Sequence, residues 1–329
     1  MRALLLRQSG PDPDPSFATV DVAGLPPGEV LVDVAHSSLN YKDGLAVTGE
    51  GKIVRGEFPF VPGIDLAGTV VSDDSGRWTT GDRVVLTGWG TGEDRWGGFA
   101  EQARASADHL VALPDGLSTE DAMWIGTAGF TAMLSVLALE AHGVEPGAGP
   151  VAVTGASGGV GSVATALLAA LGHEVHAVTG SEAAHGYLRD LGAAEVVGRD
   201  VLSGGPGAPM TRAVWAGAVD SVGGTTLASL LAGARRHACV AACGLAGGAE
   251  LATTVFPFIL RGVTLAGIDS NTAPGPLRQR AWGRLADAVA AGTLDAVERT
   301  VIGLADVPAW SRRIVDGQTT GRVVVDVRR

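Results

Sequence analysis

Residues 151–161 read Val-Ala-Val-Thr-Gly-Ala-Ser-Gly-Gly-Val-Gly and run into the alanine- and leucine-rich stretch Ser162–Leu171. The first three residues have the character of a buried strand end. The glycines at 155, 158, 159 and 161 demand a tight turn, and a helix follows. Strand, glycine turn and helix N-terminus in that order make a pyrophosphate cradle. Backbone N–H groups and the positive end of the helix dipole face the ligand, and missing Cβ atoms let it approach closely. Written Ala156-x-Gly158-x-x-Gly161, the segment matches the dinucleotide fingerprint with alanine in place of the first glycine. An ordinary tight βα turn is the plainer alternative, and the flanking strand and helix favour the dinucleotide.

The rest of the chain organises around this segment. Its 329 residues suggest two domains. Before residue 119 the pattern is strand-like. Met1–Arg7 suits a first strand better than a signal peptide, Gly28–Ala35 alternates with period two, and Gly68–Val71 and Gly81–Leu86 are short strands bounded by glycine. At Ser118 an N-cap with acids in the first turn opens two helical runs that lead to Pro150. From Val151 strands and helices alternate: helix Ser162–Leu171, strand Glu174–Val178, helix Ala183–Leu191 closed by Gly192, then strands near 196, 218–222, 238–242 and 264–268. Such alternation predicts a doubly wound parallel sheet. The tail offers a helix at Leu277–Ala291, a strand at Val297–Val301, a helix at Val307–Ile314 and a strand at Arg322–Val327. The domain division expected is 1–122, 123–269 and 270–329, a β-rich domain that encloses a nucleotide domain and then resumes.

Composition narrows the function. The formal net charge of −11 argues against a general nucleic-acid or anionic-membrane surface. No apolar run reaches the length of a membrane span. Two cysteines, Cys239 and Cys243, fit a reducing cytoplasm, exclude a disulfide framework and cannot build a four-thiolate zinc site. They read as small buried hydrophobes. With the seven histidines scattered, no metal is expected. There is no G-x-S-x-G elbow, and Ser157 lies inside the cradle, so a serine hydrolase is disfavoured.

The second strand ends at Thr179-Gly180-Ser181 without the carboxylate that an NAD site places there. A hydroxyl-lined tip tolerates a 2′-phosphate, and Arg199 beyond the next strand is a candidate phosphate partner, so NADPH is favoured. Glu182 works against it if turned inward. Tyr41 sits in the polar run Ser37-Ser-Leu-Asn-Tyr-Lys-Asp43 directly after a strand. It is either a proton donor or a strand-end tyrosine with its hydroxyl in water. Trp89 and Trp96 bracket a glycine-rich loop and either wall a ligand pocket or cap a small core.

The strings Ser38-Leu-Asn-Tyr-Lys-Asp-Gly44, Pro62-Gly-Ile-Asp-Leu-Ala-Gly68, Gly88-Trp-Gly90, Trp96-Gly-Gly-Phe-Ala-Glu-Gln102, Gly126-Thr-Ala-Gly-Phe-Thr-Ala-Met133, Val153–Gly161 and Ala241–Gly247 resemble the zinc-independent quinone oxidoreductases of the medium-chain dehydrogenase/reductase superfamily. Within it they are most similar to the acrylyl-CoA reductase (NADPH) branch. The resemblance spans essentially the whole chain. It implies an α/β fold in which a Rossmann doubly wound parallel sheet is inserted in a GroES-like β-rich catalytic domain. Zinc-dependent relatives carry Gly-His-Glu where this chain has Gly63-Ile64-Asp65. The branch usually ends its second strand in Ser-Gly-Arg, and here Ser181 replaces that arginine, which weakens the NADPH preference while Arg199 retains it.

By resemblance, Tyr41 and Asn40 are catalytic. Cofactor contacts are expected at Tyr41, Thr127, Thr131, Ser157, Gly158, Gly159, Val160, Thr179, Gly180, Ser181, Arg199, Leu245, Ser270 and Arg322. Lys52, Arg55 and Arg95 are candidates for a basic rim that holds the phosphates of a coenzyme A ester, or else are solvated surface charges. The expected activity is NADPH-dependent reduction of an enoyl thioester C=C bond. Quinone reduction and a non-catalytic NADPH-binding redox sensor are the alternatives, and a homodimer paired through strand Val263–Ile268 is expected. Ser181→Arg should raise the ratio of kcat/KM for NADPH over NADH about tenfold, since one charge-assisted hydrogen bond contributes roughly 1.5 kcal/mol. Steady-state assays with both nucleotides check this, and an unchanged ratio removes Ser181 from the phosphate site.

Overall fold

The computed structural model describes residues 1–329 apart from Pro11, Gly204 and Pro206. The chain divides into two compact units, 1–127 with 270–286 and 299–329, and 128–269 with 287–298. Residues 123–127 thus fall with the first unit and 287–298 with the second, unlike in the sequence-based division.

The first unit begins with the antiparallel pair β1 (Arg2–Ser9) and β2 (Asp12–Thr19). Next come β3 (Val30–Leu39), helix α1 (Tyr41–Thr48), β4 (Asp65–Asp73), β5 (Arg83–Thr87), β6 (Gln102–Ala105) and β7 (Val111–Ala112). Helix α2 (Thr119–Ala141) leads into the second unit, which contains β8 (Val151–Thr154), α3 (Gly159–Ala170), β9 (Val175–Thr179), α4 (His185–Asp190), β10 (Glu195–Gly198), α5 (Asp200–Ser203), β11 (Trp215–Asp220), α6 (Gly224–Ala232), β12 (Ala234–Ala242), α7 (Phe256–Arg261) and β13 (Thr264–Gly267). The chain closes with α8 (Gly275–Ala290), β14 (Arg299–Gly303), α9 (Val307–Val315) and β15 (Arg322–Asp326).

In the first unit a seven-stranded sheet runs β14-β15-β3-β4-β5-β7, with β6 on β3. All its pairings are antiparallel except β14 with β15. Its core gathers residues of β1, β3, β4 and β15 with Phe99. In the second unit six parallel strands take the order β10-β9-β8-β11-β12-β13. Strands β8 and β11 are buried throughout, as expected where both sheet faces are covered, and this explains their unbroken apolar character. The strand order reverses between β8 and β11, and in open α/β sheets ligands bind outside the strand C-termini at such a point. The glycine turn of residues 155–161 sits there.

Three readings need correction. Strand β2 was not anticipated because Pro13 and Pro15 interrupt the pattern, but both prolines are tolerated because, among the described residues, β2 pairs only with β1. Helix α1 is eight residues long and opens on polar residues, too short to show a helical period. The stretch Thr119–Ala141 is long and apolar enough to cross a membrane, contrary to the sequence-based expectation. However, 89% of its apolar window is buried inside the protein, so the fold itself covers that surface.

Candidate active site

Functional residues gather in each unit. In the second, β8 ends at Thr154 and the chain turns at Gly155, where φ is +59°. A Cβ at Gly161 would lie 2.3 Å from the Gly155 carbonyl oxygen, so the first turn of α3 closes on the strand end only because that atom is missing. Gly158 is the N-cap, and Ser157, Gly158, Gly159 and Val160 remain partly exposed, leaving an open helix N-terminus. At the tip of β9 the Thr179 hydroxyl lies 3.4 Å from the Ser157 hydroxyl and accepts from the Ser181 N–H at 3.1 Å. Arg199 packs its stem over Gly180, where a Cβ would come within 2.8 Å of its Cδ, and it has no carboxylate partner among the described residues. A hydroxyl pair and a free guanidinium therefore stand where an NAD site has its acid. This cradle fits a dinucleotide with a 2′-phosphate.

A buried carboxylate fixes the turn. Asp220, at the end of β11, accepts from the Thr154 hydroxyl at 2.6 Å and from the Gly223 N–H at 2.8 Å. Burial raises its pKa, and these donors oppose the rise. Leu245 is exposed on the loop after β12, and Thr131 is buried within α2. Cys239 is buried, whereas Cys243 lies just beyond β12, half-buried, with its thiol on the Asp220 carbonyl at 3.2 Å; the expectation that both are buried in the strand holds for the first only.

In the first unit Asp65 is the centre of a polar cluster. Its Oδ2 accepts from the Ser38 hydroxyl at 2.5 Å, from Asn40 Nδ2 at 2.9 Å and from the Thr127 N–H at 2.8 Å, and its Oδ1 accepts from the Thr127 hydroxyl at 2.5 Å. Asn40 caps α1, and its N–H and Nδ2 donate to Asp43 Oδ2 at 2.8 and 3.0 Å. The Ile64 N–H donates to Asp43 Oδ1 at 2.8 Å. Burial, reinforced by the charge of Asp65, pushes the Asp43 carboxyl up to about 7. Arg322 is buried beside these acids and donates from Nε to the Trp124 carbonyl at 2.9 Å, and burial lowers its pKa. Gly126 interrupts α2 at φ +51°, and only glycine fits there, since a Cβ would lie within 2.8 Å of Arg322 Nη2, Asp65 Oδ2 and Ser38 Oγ. Asn40 Oδ1 and Arg322 Nη2 are buried without a hydrogen-bond partner among the described residues.

Tyr41, the first residue of α1, is 42% exposed, and its hydroxyl makes no hydrogen bond among the described residues. Its neighbour Lys42 pairs with the buried Glu93 at 2.9 Å, as does Arg55 at 3.0 Å. Of the three rim candidates, Arg55 is therefore neutralised. Arg95 meets Asp94 only at 3.8 Å, and Lys52 is exposed with no ion pair among the described residues. Ser270 is half-buried, and its carbonyl accepts from Arg278 at 3.3 Å. The fold thus brings Asn40, Thr127 and Arg322 together around Asp65, and Ser157, Thr179, Gly180, Ser181 and Arg199 together at the tips of β8, β9 and β10. Sequence reasoning assigned no role to Asp43, Asp65, Glu93 or Asp220. The only signal was the place of Asp65 beside Ile64, where related chains carry zinc ligands.

Zinc does not fit this cluster. Ile64 offers no donor atom, and both oxygens of Asp43 and of Asp65 already accept N–H or O–H donors. Among the described residues no group of three or more His, Cys, Asp or Glu side chains is placed to hold a metal ion.

Residues 26–115 match the alcohol dehydrogenase GroES-like domain family, and residues 159–289 match the zinc-binding dehydrogenase family. The chain is 52% identical over 99% of its length to the probable acrylyl-CoA reductase AcuI of Escherichia coli, all of which is covered. It is 53% identical to the acrylyl-CoA reductase AcuI of Ruegeria pomeroyi, over 94% of this chain and 93% of that one. The crystal structure of the yhdH oxidoreductase from Salmonella enterica in complex with NADP superposes with a TM-score of 0.96 at 51% identity, covering 99% of each chain.

The pKa of Asp43 makes a prediction about stability. Its folded value of about 7 lies above the usual carboxylate value, so the folded chain keeps a proton that the unfolded chain has lost. The stability contributed is full below the unfolded value and is lost as pH rises through about 7. Asp43→Asn should remove that slope. The advantage of the wild type over the variant in urea denaturation should therefore shrink between about pH 5 and about pH 8, by at most about tenfold in the unfolding constant per pH unit. Parallel curves would show Asp43 ionised throughout.

Proposed function

The chain belongs to the medium-chain dehydrogenase/reductase superfamily, and on that footing we propose that it is an NADPH-dependent reductase of the C=C bond of an acrylyl-CoA-type enoyl thioester. The observation that carries the cofactor is the acid-free tip of β9, where Thr179, Ser181 and Arg199 stand. The substrate class is supported by the names of relatives more than half identical over nearly the whole chain.

In this reading Ser157, Gly158, Gly159 and Val160 hold the pyrophosphate, and Thr179, Gly180, Ser181 and Arg199 hold the 2′-phosphate. Thr127, Thr131, Leu245, Ser270 and Arg322 complete the cofactor contacts. When bound, NADPH supplies a hydride for the β-carbon of the thioester. The C=C electron pair moves toward the thioester oxygen, and a proton is then added at the α-carbon. Hydrogen-bond donors meet the developing charge. Asn40 is held rigid by Asp43 and Asp65, and the exposed phenol of Tyr41 beside it supplies the hydrogen bond or the proton. Asp65 and Asp43 act as positioning residues.

NADPH absorbance followed with acrylyl-CoA and with a quinone tests the activity. Faster consumption with the thioester is expected. Tyr41→Phe should lower kcat about 10²- to 10⁴-fold with little change in KM, the range for loss of a general acid. Consumption with quinone alone would move the activity to quinone reduction, and none with either would leave a nucleotide sensor.

The same proposal includes a cytoplasmic homodimer. Strand β13 is the sheet edge of the second unit, and in nearby α7 Phe256, Ile259 and Leu260 are 44, 67 and 48% exposed. An apolar edge of this kind is suited to pairing with a second copy. Light scattering at micromolar concentration should give twice the 33.2 kDa chain mass, and a monomer mass would overturn the assignment.

A further inference from the structure

The first unit contains a cavity of about 660 Å³, within the range of small-ligand sites, to which no role has been given so far. Its walls include Phe58, Phe60, Trp96, His109, Arg95 and Arg104. His109 is the end of a stack. The Arg278 guanidinium lies 5.3 Å above the ring of Trp89, and Trp89 lies parallel to His109, with centroids 4.7 Å apart and planes within 2°. Trp89 holds this position at φ +58°, a conformation that a non-glycine residue adopts rarely. Its N–H donates to the Asn271 carbonyl at 2.9 Å, and the Gly90 N–H donates to Asn271 Oδ1 at 3.1 Å. Local backbone strain thus sustains an aromatic platform whose last ring borders the cavity. Burial, with Arg95 and Arg278 nearby, lowers the pKa of His109.

The charges beside this platform have capacity to spare. Arg104 donates from Nη1 to the Gly28 carbonyl at 3.1 Å and has no carboxylate partner among the described residues. Arg95 meets its nearest carboxylate, Asp94, at 3.8 Å, in contrast to Lys42 and Arg55, both tied to Glu93 within 3.0 Å. Glu57 and Asp94 also line the cavity, and Asp94 is shared with Arg55 at 3.5 Å. The loop that carries Thr91, Asp94, Arg95 and Trp96 into the cavity wall also carries Glu93, which holds Lys42 next to Tyr41. One loop therefore links the cavity wall to the residue that follows the candidate proton donor.

We propose that this cavity receives the adenine ring and 3′-phosphate of the coenzyme A portion of the thioester, a planar heteroaromatic ring against His109 and Trp96 with its phosphate between Arg95 and Arg104. The assignment rests on the thioester reading of the function. It also moves the expected basic rim inward: Arg104 replaces Arg55, whose charge Glu93 already meets.

The test uses the full chain with saturating NADPH, which fills the dinucleotide cradle, and adenosine 3′,5′-bisphosphate as the calorimetric probe. Binding by the wild type is expected, with Kd raised about tenfold in Arg95→Glu and in Arg104→Gln. Arg95 is exposed, so the first variant keeps the fold even if the second disturbs the Gly28 contact. No binding by the wild type, or binding unchanged in both variants, overturns the proposal. In parallel, the KM for the enoyl-CoA should be at least tenfold below that for the same enoyl group on pantetheine, and Arg95→Glu should erase the difference. Equal KM values in the wild type overturn the cavity assignment alone, whereas turnover of neither thioester overturns the reductase reading.

Discussion

One carboxylate organises the first unit. Asp65 stands at the start of β4, completely buried, and its two oxygens take hydrogen bonds from β3, from the residue that caps α1 and from the first residue after the break in α2. A buried charge is tolerated only when its hydrogen-bonding capacity is met, and here four donors meet it. The requirement propagates outward. Because Thr127 must turn both its N–H and its hydroxyl toward Asp65, α2 cannot run straight, and Gly126 takes the left-handed conformation that lets the donors converge. Because Asn40 is held from both sides by Asp43 and Asp65, the direction in which α1 leaves β3 is set, and so is the position of Tyr41 on its first turn. Asp43 lies close enough to feel the charge of Asp65, and that proximity adds to burial in keeping its proton near neutral pH.

The second unit uses the same device once more. Asp220 is also fully buried at a strand end, and it links the Thr154 hydroxyl, just before the glycine turn, to the N–H of Gly223, the N-cap of α6. Ser221 adds a bond from its hydroxyl to the Thr154 carbonyl at 3.0 Å. A glycine-rich turn has many conformations in the unfolded chain, and anchoring both its sides restricts it to the one that presents its N–H groups outward. Preorganisation of this kind lowers the entropic cost of ligand binding. In both units, then, an acid buried at a strand end positions a neighbouring turn rather than holding a metal.

The distribution of cations follows from the same accounting. Glu93 is nearly buried and draws in Lys42 and Arg55, so those charges stabilise the loop that faces α1. Arg95, Arg104 and Arg199 keep guanidinium capacity, and they lie beside a cavity or a strand tip rather than on an open acidic surface. A chain with a formal charge of −11 repels phosphorylated ligands over most of its surface and can admit them where such groups are concentrated.

Much of this architecture was legible in the residues. The alternation of apolar strands and helices after residue 151 comes from burial on both sheet faces, and the glycines at 155–161 are dictated by how closely a helix must approach a strand end. Both are local constraints, so they leave a local pattern. The acid-free tip at Thr179-Gly180-Ser181 is likewise readable, since it is defined by which side chain follows one strand. The short helix α1 left little trace, and the proline-bearing strand β2 concealed itself, because each is stabilised by partners rather than by its own periodicity. What only the tertiary structure decided is the joining of residues far apart in the chain. Asn40, Asp65, Thr127 and Arg322 meet because the end of β3, the starts of β4 and β15 and the break in α2 lie at one place, and Arg55 loses its freedom because Glu93 reaches it from another loop. Hydrogen bonds and ion pairs depend on distance in space, and the spacing of such residues along the chain carries no record of it.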